Sequence, residues 1–377
     1  MDDVIVVGGG PIGSHTAYKL ANSGLRVSLF EEDEEVGRNV ICTGIIGRES
    51  FEKFHLPQKA VLSEIKSVLF FSPSLLTLNY APSNTIAYVV DRDIFDKELI
   101  KRAKEKGVNV QLGRRVQEIE VRKEFVEVKI FGEGSAKRAR AKVVVIATGD
   151  DYKLQKSIGL GAVSNFLYGA QVETEVEGLV QTEIHLGNQI APGSFAWVVP
   201  LGNSKSRVGV LTRNKGSFYL RRFLKERLKE RIRGKEVRIF QKRIAYASLP
   251  ETVKDRILVV GEAAGQIKTT TGGGISYGLL CSEIAAKVLK KAIKKGDLSK
   301  RELAQYDRLW RKKLVKEMKI GKMGRGLFEK LSDKYIDLIF KFIQKNNKIM
   351  RLIEERVNFE YHSDLILLGM KLFKRVT

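Results

Sequence analysis

Two glycine-rich segments lie almost the whole chain apart, and each follows a short apolar run. Residues 8–13 follow the apolar residues 4–7. Residues 261–265 follow the apolar residues 257–260, and three more glycines stand at 272–274. Glycine permits tight turns and lets the backbone approach a phosphate, and a helix that begins there offers free N–H groups to the anion. Two such loops predict a long dinucleotide bound at both ends.

The first segment has the spacing of a dinucleotide-binding strand–turn–helix. Gly8 permits the turn, Gly10 leaves space for the pyrophosphate, and Gly13 lets the helix pack near the strand. Pro11 suits the first helical position, where a missing N–H costs nothing. Glu31 follows a second apolar run and stands 18 residues after Gly13, where an acid that binds ribose is expected.

The second segment is predicted to bind the flavin end of FAD. A helix that starts after the glycines at 272–274 would direct its N-terminus at N1 and O2 of the flavin, where reduced flavin carries negative charge. Glu262 could accept hydrogen bonds from the ribityl hydroxyls. The chain has no second G-x-G-x-x-G. We therefore expect NAD(P)H to dock only briefly, or electrons to come from a protein donor such as a ferredoxin.

Composition places limits on the class of protein. A length of 377 residues fits about two or three structural units. No apolar run reaches the ~20 residues that span a bilayer, and no signal peptide is visible, so we expect a cytoplasmic protein. Cys42 and Cys281 make no disulfide framework. The histidines have no ligand spacing, so we expect no metal site, and structural roles for His15 and His55.

The net charge of +23 is unevenly distributed. Residues 201–245 carry 15 basic against 3 acidic side chains, and residues 301–377 carry 19 against 10. This pattern predicts an anionic partner: a lipid surface, a phosphorylated substrate or an acidic redox protein. A solvated helix face is the simpler alternative. No nucleic-acid module is recognisable, so we expect no nucleic acid as a partner.

The order of the predicted elements favours a mixed α/β (α+β) fold. A Rossmann-like FAD-binding domain is expected from residues 1–65, 91–162 and 250–298. An inserted antiparallel sheet from residues 66–90 and 163–249 would form the substrate domain, and residues 299–377 a basic helical C-terminal region. Within these ranges the pattern predicts a very basic helix over 217–232 and helices near 299–319, 327–343, 347–357 and 362–374.

Several motifs together resemble the para-hydroxybenzoate hydroxylase-type flavoprotein superfamily. They are residues 8–13, Glu31, the D-R-x-x-F-D-x-x-L pattern at 91–99, residues 147–149 and residues 261–265. Within that superfamily, residues 40–44, 192–200 and 261–278 resemble the geranylgeranyl reductase family. The likeness covers about residues 1–340. The family usually has Tyr at Phe195, Phe at Val199 and Asp at Glu262.

The resemblance implies that the protein binds FAD and hydrogenates isolated C=C bonds of a prenyl lipid or prenyl phosphate. Such an enzyme could act at the inner face of a membrane as a peripheral protein. A flavin monooxygenase of the same fold and a non-catalytic lipid-binding flavoprotein are the alternatives. An alkene needs a hydride, which flavin N5 can supply, and a proton from an acid that the sequence does not identify.

These considerations give a set of candidate site residues. Cys42 could donate the proton or act as a gate, although a buried packing role is equally compatible with its position. Phe195 and Trp197 alternate on a predicted strand and could line a substrate tunnel with Pro200, or could be ordinary sheet packing. The expected cofactor-binding residues are Gly8, Gly10, Pro11, Ile12, Gly13, Glu31, Glu32, Arg38, Cys42, Thr43, Gly44, Arg92, Val116, Ala147, Thr148, Gly149, Gly261, Glu262, Gly272, Gly273, Gly274 and Ile275.

Overall fold

The computed structural model describes residues 1–38, 40–132, 134–233 and 238–376, with side chains to residue 371. Its strands are β1 Asp2–Val7, β2 Val27–Phe30, β3 Ile45–Gly47, β4 Val61–Ile65, β5 Val68–Phe71, β6 Thr77–Tyr80, β7 Ala87–Val90, β8 Asn109–Gln111, β9 Arg115–Val121, β10 Val126–Gly132, β11 Ser135–Ile146, β12 Phe166–Val176, β13 Thr182–His185, β14 Ala196–Gly202, β15 Lys205–Thr212, β16 Ile232–Arg233, β17 Phe240–Ala245, β18 Val253–Lys254 and β19 Ile257–Val259. Its α-helices are α1 Pro11–Ala21, α2 Arg48–Lys53, α3 Arg92–Glu105, α4 Lys153–Ser157, α5 Gly216–Glu226, α6 Ile275–Lys295, α7 Lys300–Phe328, α8 Asp333–Gln344, α9 Asn347–Arg356 and α10 Ser363–Val376.

The first sheet brings the two glycine-rich loops together. Its strands run in the order β18-β19-β11-β1-β2-β8, with β10 on β11 and β9 on β10. The strands β19, β11, β1, β2 and β8 pair in parallel. Because parallel strands end at the same edge, the loops after β1, β11 and β19 all leave on one side. This arrangement confirms the predicted α/β fold with a Rossmann-like unit.

Apolar packing on both faces holds this sheet. One face packs on α1, α6 and α7, where Tyr306 and Trp310 are fully buried. The other packs on β9, β10 and residues 152–163. Cys281 lies in the first cluster and has no exposed surface. Two faces of buried residues fix the strand ends that carry the loops.

Two further sheets complete the fold. The second runs β16-β12-β15-β14-β13-β5-β6, with β17 on β12, and is antiparallel except for β13 against β5. A third sheet of three strands runs β3-β7-β4. The strands β5 and β6 thus belong to the second sheet, whereas β7 belongs to the third. The division of the chain into a cofactor and a substrate domain stays a prediction.

The predicted basic helix over 217–232 ends early. Helix α5 stops at Glu226, and Ile232–Arg233 forms strand β16. The reason is tertiary contact, because Arg231 forms a bidentate ion pair with Glu183 at 2.8 and 2.9 Å. Leu228 is fully buried in the same region. These contacts hold the chain in a turn that helical periodicity alone does not predict.

The predicted break between helices near residues 319–327 is absent from the described chain. Helix α7 continues from Lys300 to Phe328 through three glycines. A Cβ on Gly321 would lie 2.4 Å from Thr269 Oγ1, and one on Gly324 would lie 2.8 Å from Ile366 Cγ2. The first two glycines therefore permit close helix packing and do not end the helix. Helix α8 begins at Asp333, six residues after the predicted start at 327, because α7 extends to Phe328. The helices α9 and α10 follow as predicted, within a few residues.

Candidate active site

The first loop has the geometry of a phosphate-binding turn. Gly8 has φ +108°, and a Cβ on Gly13 would lie 1.9 Å from the Gly8 carbonyl oxygen, so both positions require glycine. A Cβ on Gly10 would meet no protein atom within 4 Å. The side chain missing at Gly10 therefore leaves open space in front of the N-terminus of α1. This is the feature that a pyrophosphate needs.

Glu31 closes one end of this loop. Its carboxylate accepts hydrogen bonds from the Gly9 N–H at 2.5 Å and from the Asp33 N–H at 2.9 Å. Burial raises the pKa of Glu31, while these two backbone donors oppose the shift. A carboxylate held at the end of β2 is in the position expected for binding a ribose hydroxyl.

The second loop contacts the first through Ile12. A Cβ on Gly261 would lie 3.0 Å from Ile12 Cγ2, and one on Gly278 would lie 2.5 Å from Ile12 Cδ1. Glu262, the next residue, is 2.9 Å from the ammonium of Lys242. Gly261 and Gly278 thus both pack on Ile12, a side chain of the first loop that lies about 250 residues before Gly261 in the chain.

One cavity of about 950 Å³ connects the two loops. The residues expected to bind the cofactor or substrate that line it are Gly8, Gly10, Pro11, Ile12, Glu31, Glu32, Cys42, Thr43, Gly44, Arg92, Val116, Ala147, Thr148, Gly149, Phe195, Trp197, Glu262, Gly272, Gly273, Gly274 and Ile275. Four expected residues lie outside the lining. Gly13 and Gly261 act in packing as described, Arg38 is exposed near Glu35, and the Pro200 carbonyl accepts a hydrogen bond from Ser63.

Cys42 lies in a hydrogen-bonded segment of the cavity wall. Its sulfur accepts the Gly44 N–H at 3.3 Å, and Arg92 lines the same cavity. Arg92 also forms a buried ion pair with Asp96 at 2.8 Å. Thr43 donates to Gln171 of the second sheet at 2.9 Å. The segment therefore joins the cofactor side of the cavity to the second sheet.

Phe195 and Trp197 form the aromatic part of the wall. Their ring centroids are 6.0 Å apart, and both side chains face the cavity. Trp197 packs over Gly209, where a Cβ would lie 2.2 Å from the indole ring. The indole Nε1–H is buried and has no acceptor among the described residues. Ile184, Leu211 and Ile244 make the surrounding wall apolar.

The lining residues that were not predicted from the sequence include a buried lysine and two residues of the C-terminal region. Lys268 lies inside the 261–278 segment, but its position there gave no sign of a role. Phe359 and His362 come from the C-terminal region. No local pattern marks these last two, because their place depends on how α9 and α10 pack. Among the described residues no cluster of three His, Cys, Asp or Glu side chains could hold a metal ion.

The residues present fit FAD. The open space at Gly10, the carboxylate of Glu31 and the N-terminus of α6 occupy one continuous cavity. The first would receive the pyrophosphate, the second the ribose and the third the flavin ring. The cavity is large enough for a dinucleotide together with part of an apolar chain.

Comparisons with known proteins agree with this geometry. Residues 3–151 match the family model for FAD dependent oxidoreductases. The chain is 34% identical over 350 residues to the digeranylgeranylglycerophospholipid reductase of Methanocaldococcus jannaschii, covering 89% of each chain. It is 29% identical to the enzyme of that name from Methanosphaerula palustris, covering 97% of this chain and 93% of the relative.

Solved structures show the same fold. A geranylgeranyl bacteriochlorophyll reductase-like protein from Thermoplasma acidophilum superposes with a TM-score of 0.88 at 24% identity, covering 98% of this chain and 95% of that one. The p-nitrophenol 4-monooxygenase of Pseudomonas putida has a TM-score of 0.75 at 21% identity, covering 94% and 96%. The fold therefore occurs in both a reductase-like protein and an oxygenase.

Proposed function

Because this chain belongs to the geranylgeranyl reductase family of FAD-dependent oxidoreductases, we propose that it hydrogenates isolated C=C bonds in the geranylgeranyl chains of a glycerophospholipid. The observation that carries the proposal is the single cavity in which the glycine loops meet the aromatic wall. One end of this cavity is polar and suits the cofactor, and the other end is apolar and suits a prenyl chain beside the flavin.

The protein's own residues would bind, orient and exclude water. Gly10 leaves the pyrophosphate its space, and Glu31 holds the ribose. The N-terminus of α6 directs its dipole at the flavin, where it favours the negative charge of the reduced state. Phe195 and Trp197 keep an alkene in an apolar environment. When bound and reduced, FAD supplies the hydride equivalent for one alkene carbon.

The test is anaerobic incubation of dithionite-reduced protein with a geranylgeranyl glycerophospholipid, followed by mass spectrometry. We expect a gain of two hydrogens for each bond reduced. Unchanged lipid, with substrate-coupled oxygen uptake in air, would favour the monooxygenase alternative. Bound FAD that is reduced readily and is never oxidised by a prenyl lipid would favour the non-catalytic one.

A protein reductant is the proposed source of electrons. The sequence has no second nucleotide-binding fingerprint, and its basic stretches suit an acidic ferredoxin-like donor. Stopped-flow reduction by NADPH and by a reduced ferredoxin would separate the two sources. Fast, saturable reduction by micromolar NADPH would contradict the proposal.

An anionic membrane surface is the proposed partner of α9. None of its ten residues, all of which the structure describes, is buried. Ile349, Leu352 and Ile353 stand at helical spacing on one face, which we call the α9 face. Lys348 and Arg351 flank it and are exposed. An amphipathic helix with basic residues beside its apolar face is typical of binding at a lipid interface.

The α9 face is close in sequence to residues that line the cavity. The connection from α9 to α10 carries Phe359 and His362, which line the cavity. Docking of α9 on a bilayer would thus bring the cavity close to its lipid substrate. Among the described residues, no helix is long and apolar enough to cross a membrane.

A further inference from the structure

Lys268 is a buried cation in the wall of the cavity. Its side chain is 6% exposed and lines the same volume as Gly272–Gly274 and Trp197. A Cβ on Gly273 would lie 3.7 Å from Lys268 Cδ, so the side chain runs along the glycine turn before α6. Burying an unpaired ammonium costs free energy, so Lys268 needs a charged or polar partner. Its side chain lines the cavity in which the proposed reaction would occur.

The C-terminal region supplies the partners of Lys268. Its Nζ lies 2.7 Å from Glu360 Oε2, donates to the Phe359 carbonyl oxygen at 2.8 Å and stands 4.5 Å from the centre of the Phe359 ring. An ammonium has three protons. The Phe359 carbonyl takes one of them and the Glu360 carboxylate lies beside the ammonium, so at least one N–H has no acceptor in the described parts of the chain.

Glu360 is itself held in place. It is 4% exposed, and its Oε1 accepts the Ser276 hydroxyl at 2.8 Å. A Cβ on Gly47 would lie 2.3 Å from the same oxygen, so the carboxylate packs directly on the end of β3. The ion pair therefore joins three segments that are distant in sequence.

We propose that Lys268 donates the proton that accompanies hydride transfer to the substrate double bond, with Glu360 as the residue that positions its ammonium. This inference rests on the proposed function. An N–H bond of the ammonium breaks, and a C–H bond forms at one alkene carbon. The other carbon receives the hydride and its two electrons from reduced FAD. Lys268 is left as a neutral amine, and a solvent proton entering the cavity restores it.

The surroundings of Lys268 suit this role. Burial lowers the pKa of Lys268, although the charge of Glu360 opposes the shift. A general acid works best when its pKa approaches the working pH. Burial, and then the charge of Lys268, lower the pKa of His362, so that imidazole is neutral near pH 7. The titratable groups that act on the ammonium are Glu360, Glu317 and His362. Tyr277 and Tyr361 lie near Glu360.

Cys42 lines the same cavity, and its sulfur accepts the Gly44 N–H at 3.3 Å. A thiol is a weak donor and a weak acceptor, whereas an ammonium can only donate. Lys268 is therefore the stronger hydrogen-bond donor of the two.

The test compares Lys268→Arg with the wild-type holoenzyme in single-turnover reduction of a geranylgeranyl glycerophospholipid. Arginine keeps the charge and the pairing with Glu360 but cannot release a proton near neutral pH. We expect a rate roughly 10²–10⁴-fold lower, with FAD content unchanged. Lys268→Met/Glu360→Gln removes both charges together and should be as slow. Lys330→Arg, an exposed site, is the matched control.

A second measurement is independent of turnover. In oxidised holoenzyme labelled with ¹⁵N at the lysine Nζ, one resonance, absent from Lys268→Arg, should titrate below all other lysines. Lys268→Arg at the wild-type rate and with the wild-type pH profile would overturn the inference alone. A Lys268 resonance that titrates with the surface lysines would do the same. A wild-type enzyme that reduces no prenyl lipid would overturn the proposed function as well.

Discussion

Residues 8–13 and residues 359–362 both reach the cavity, but different forces place them. The first segment follows β1, whose residues Val4, Ile5 and Val6 are fully buried between two layers. The second lies between α9, which has no buried residue, and α10. One segment is fixed by the core of a sheet. The other is fixed by polar contacts with Lys268, Ser276 and Glu317.

The site therefore contains residues fixed by the core of a sheet and residues fixed by polar contacts. Backbone groups at the end of a buried strand can hold a cofactor rigidly, because the strand cannot shift without opening the core. Side chains that are placed by contacts between segments distant in sequence depend on those segments staying together. We therefore expect cofactor binding to depend on the first segment, and proton supply and access for the lipid to depend on the second.

The largest expected effect distinguishes two glycines of the first segment. Gly13→Val should prevent folding, because its Cβ would lie 1.9 Å from a backbone oxygen. Gly10→Val should fold but bind no FAD, because its side chain would enter open space that the pyrophosphate needs. Circular dichroism and FAD content after reconstitution check both variants. A yellow Gly10→Val protein would contradict the assignment of the first loop.

The next effect concerns the aromatic wall. Trp197→Ala should reduce turnover by up to about 10²-fold, because a displaced substrate loses its alignment. FAD should stay bound, since the indole packs on Gly209 and Phe195 and not on either glycine loop. Trp197→Phe keeps most of the ring and removes the buried, unpaired Nε1–H, so it separates the loss of ring volume from the loss of that group. Loss of FAD from Trp197→Ala would show that the two ends of the cavity are not separable.

The parts of this site that follow from sequence are those set by local backbone chemistry. The glycine loops, Glu31 and the pair Phe195 and Trp197 follow from residue type and spacing within a few residues. The place of residues 359–362 in the site could not be predicted, because their contacts depend on how α6, α7, α9 and α10 pack. The continuation of α7 past residue 319 could not be predicted for the same reason, because Gly321 packs on Thr269, which is remote in sequence.

A third prediction concerns acid sensitivity in the cofactor-binding part. His15 in α1 is 4% exposed, and its Nε2 has no partner among the described residues. Burial lowers its pKa from 6.5 to about 4. The folded state therefore binds the proton more weakly than the unfolded state. Stability is complete above pH 6.5 and is lost as the pH falls toward about 4, by about 3 kcal/mol in total.

His15→Leu should remove this dependence, because leucine fills the space beside Phe54 without titrating. Urea unfolding at pH values of 6.5 and about 4 measures the difference in unfolding free energy for each protein. Glu360 also destabilises the fold in acid, since its pKa is lowered overall: burial raises it, but the charge of Lys268 outweighs that effect. Its contribution is present above pH 4.5 and is lost below that value, so the two sources separate by pH. An unchanged acid response of His15→Leu between pH 6.5 and about 4 would contradict the assignment of this sensitivity to His15.

The smallest expected effect concerns membrane binding by the α9 face, which precedes residues 359–362 in the chain. Each exposed basic residue near an anionic surface contributes about 1 kcal/mol of binding. Lys348→Gln and Arg351→Gln together should therefore weaken binding to phosphatidylglycerol-containing vesicles by roughly 30-fold. Lys104→Gln/Lys106→Gln, on the exposed side of α3 and its end, is the matched control and should bind like the wild type.

Salt should weaken vesicle binding by the wild type more than vesicle binding by the α9 variant, because screening acts on the charges that the variant lacks. Equal loss in both double variants would mean that net charge alone attracts the protein, and that α9 is an ordinary solvated helix.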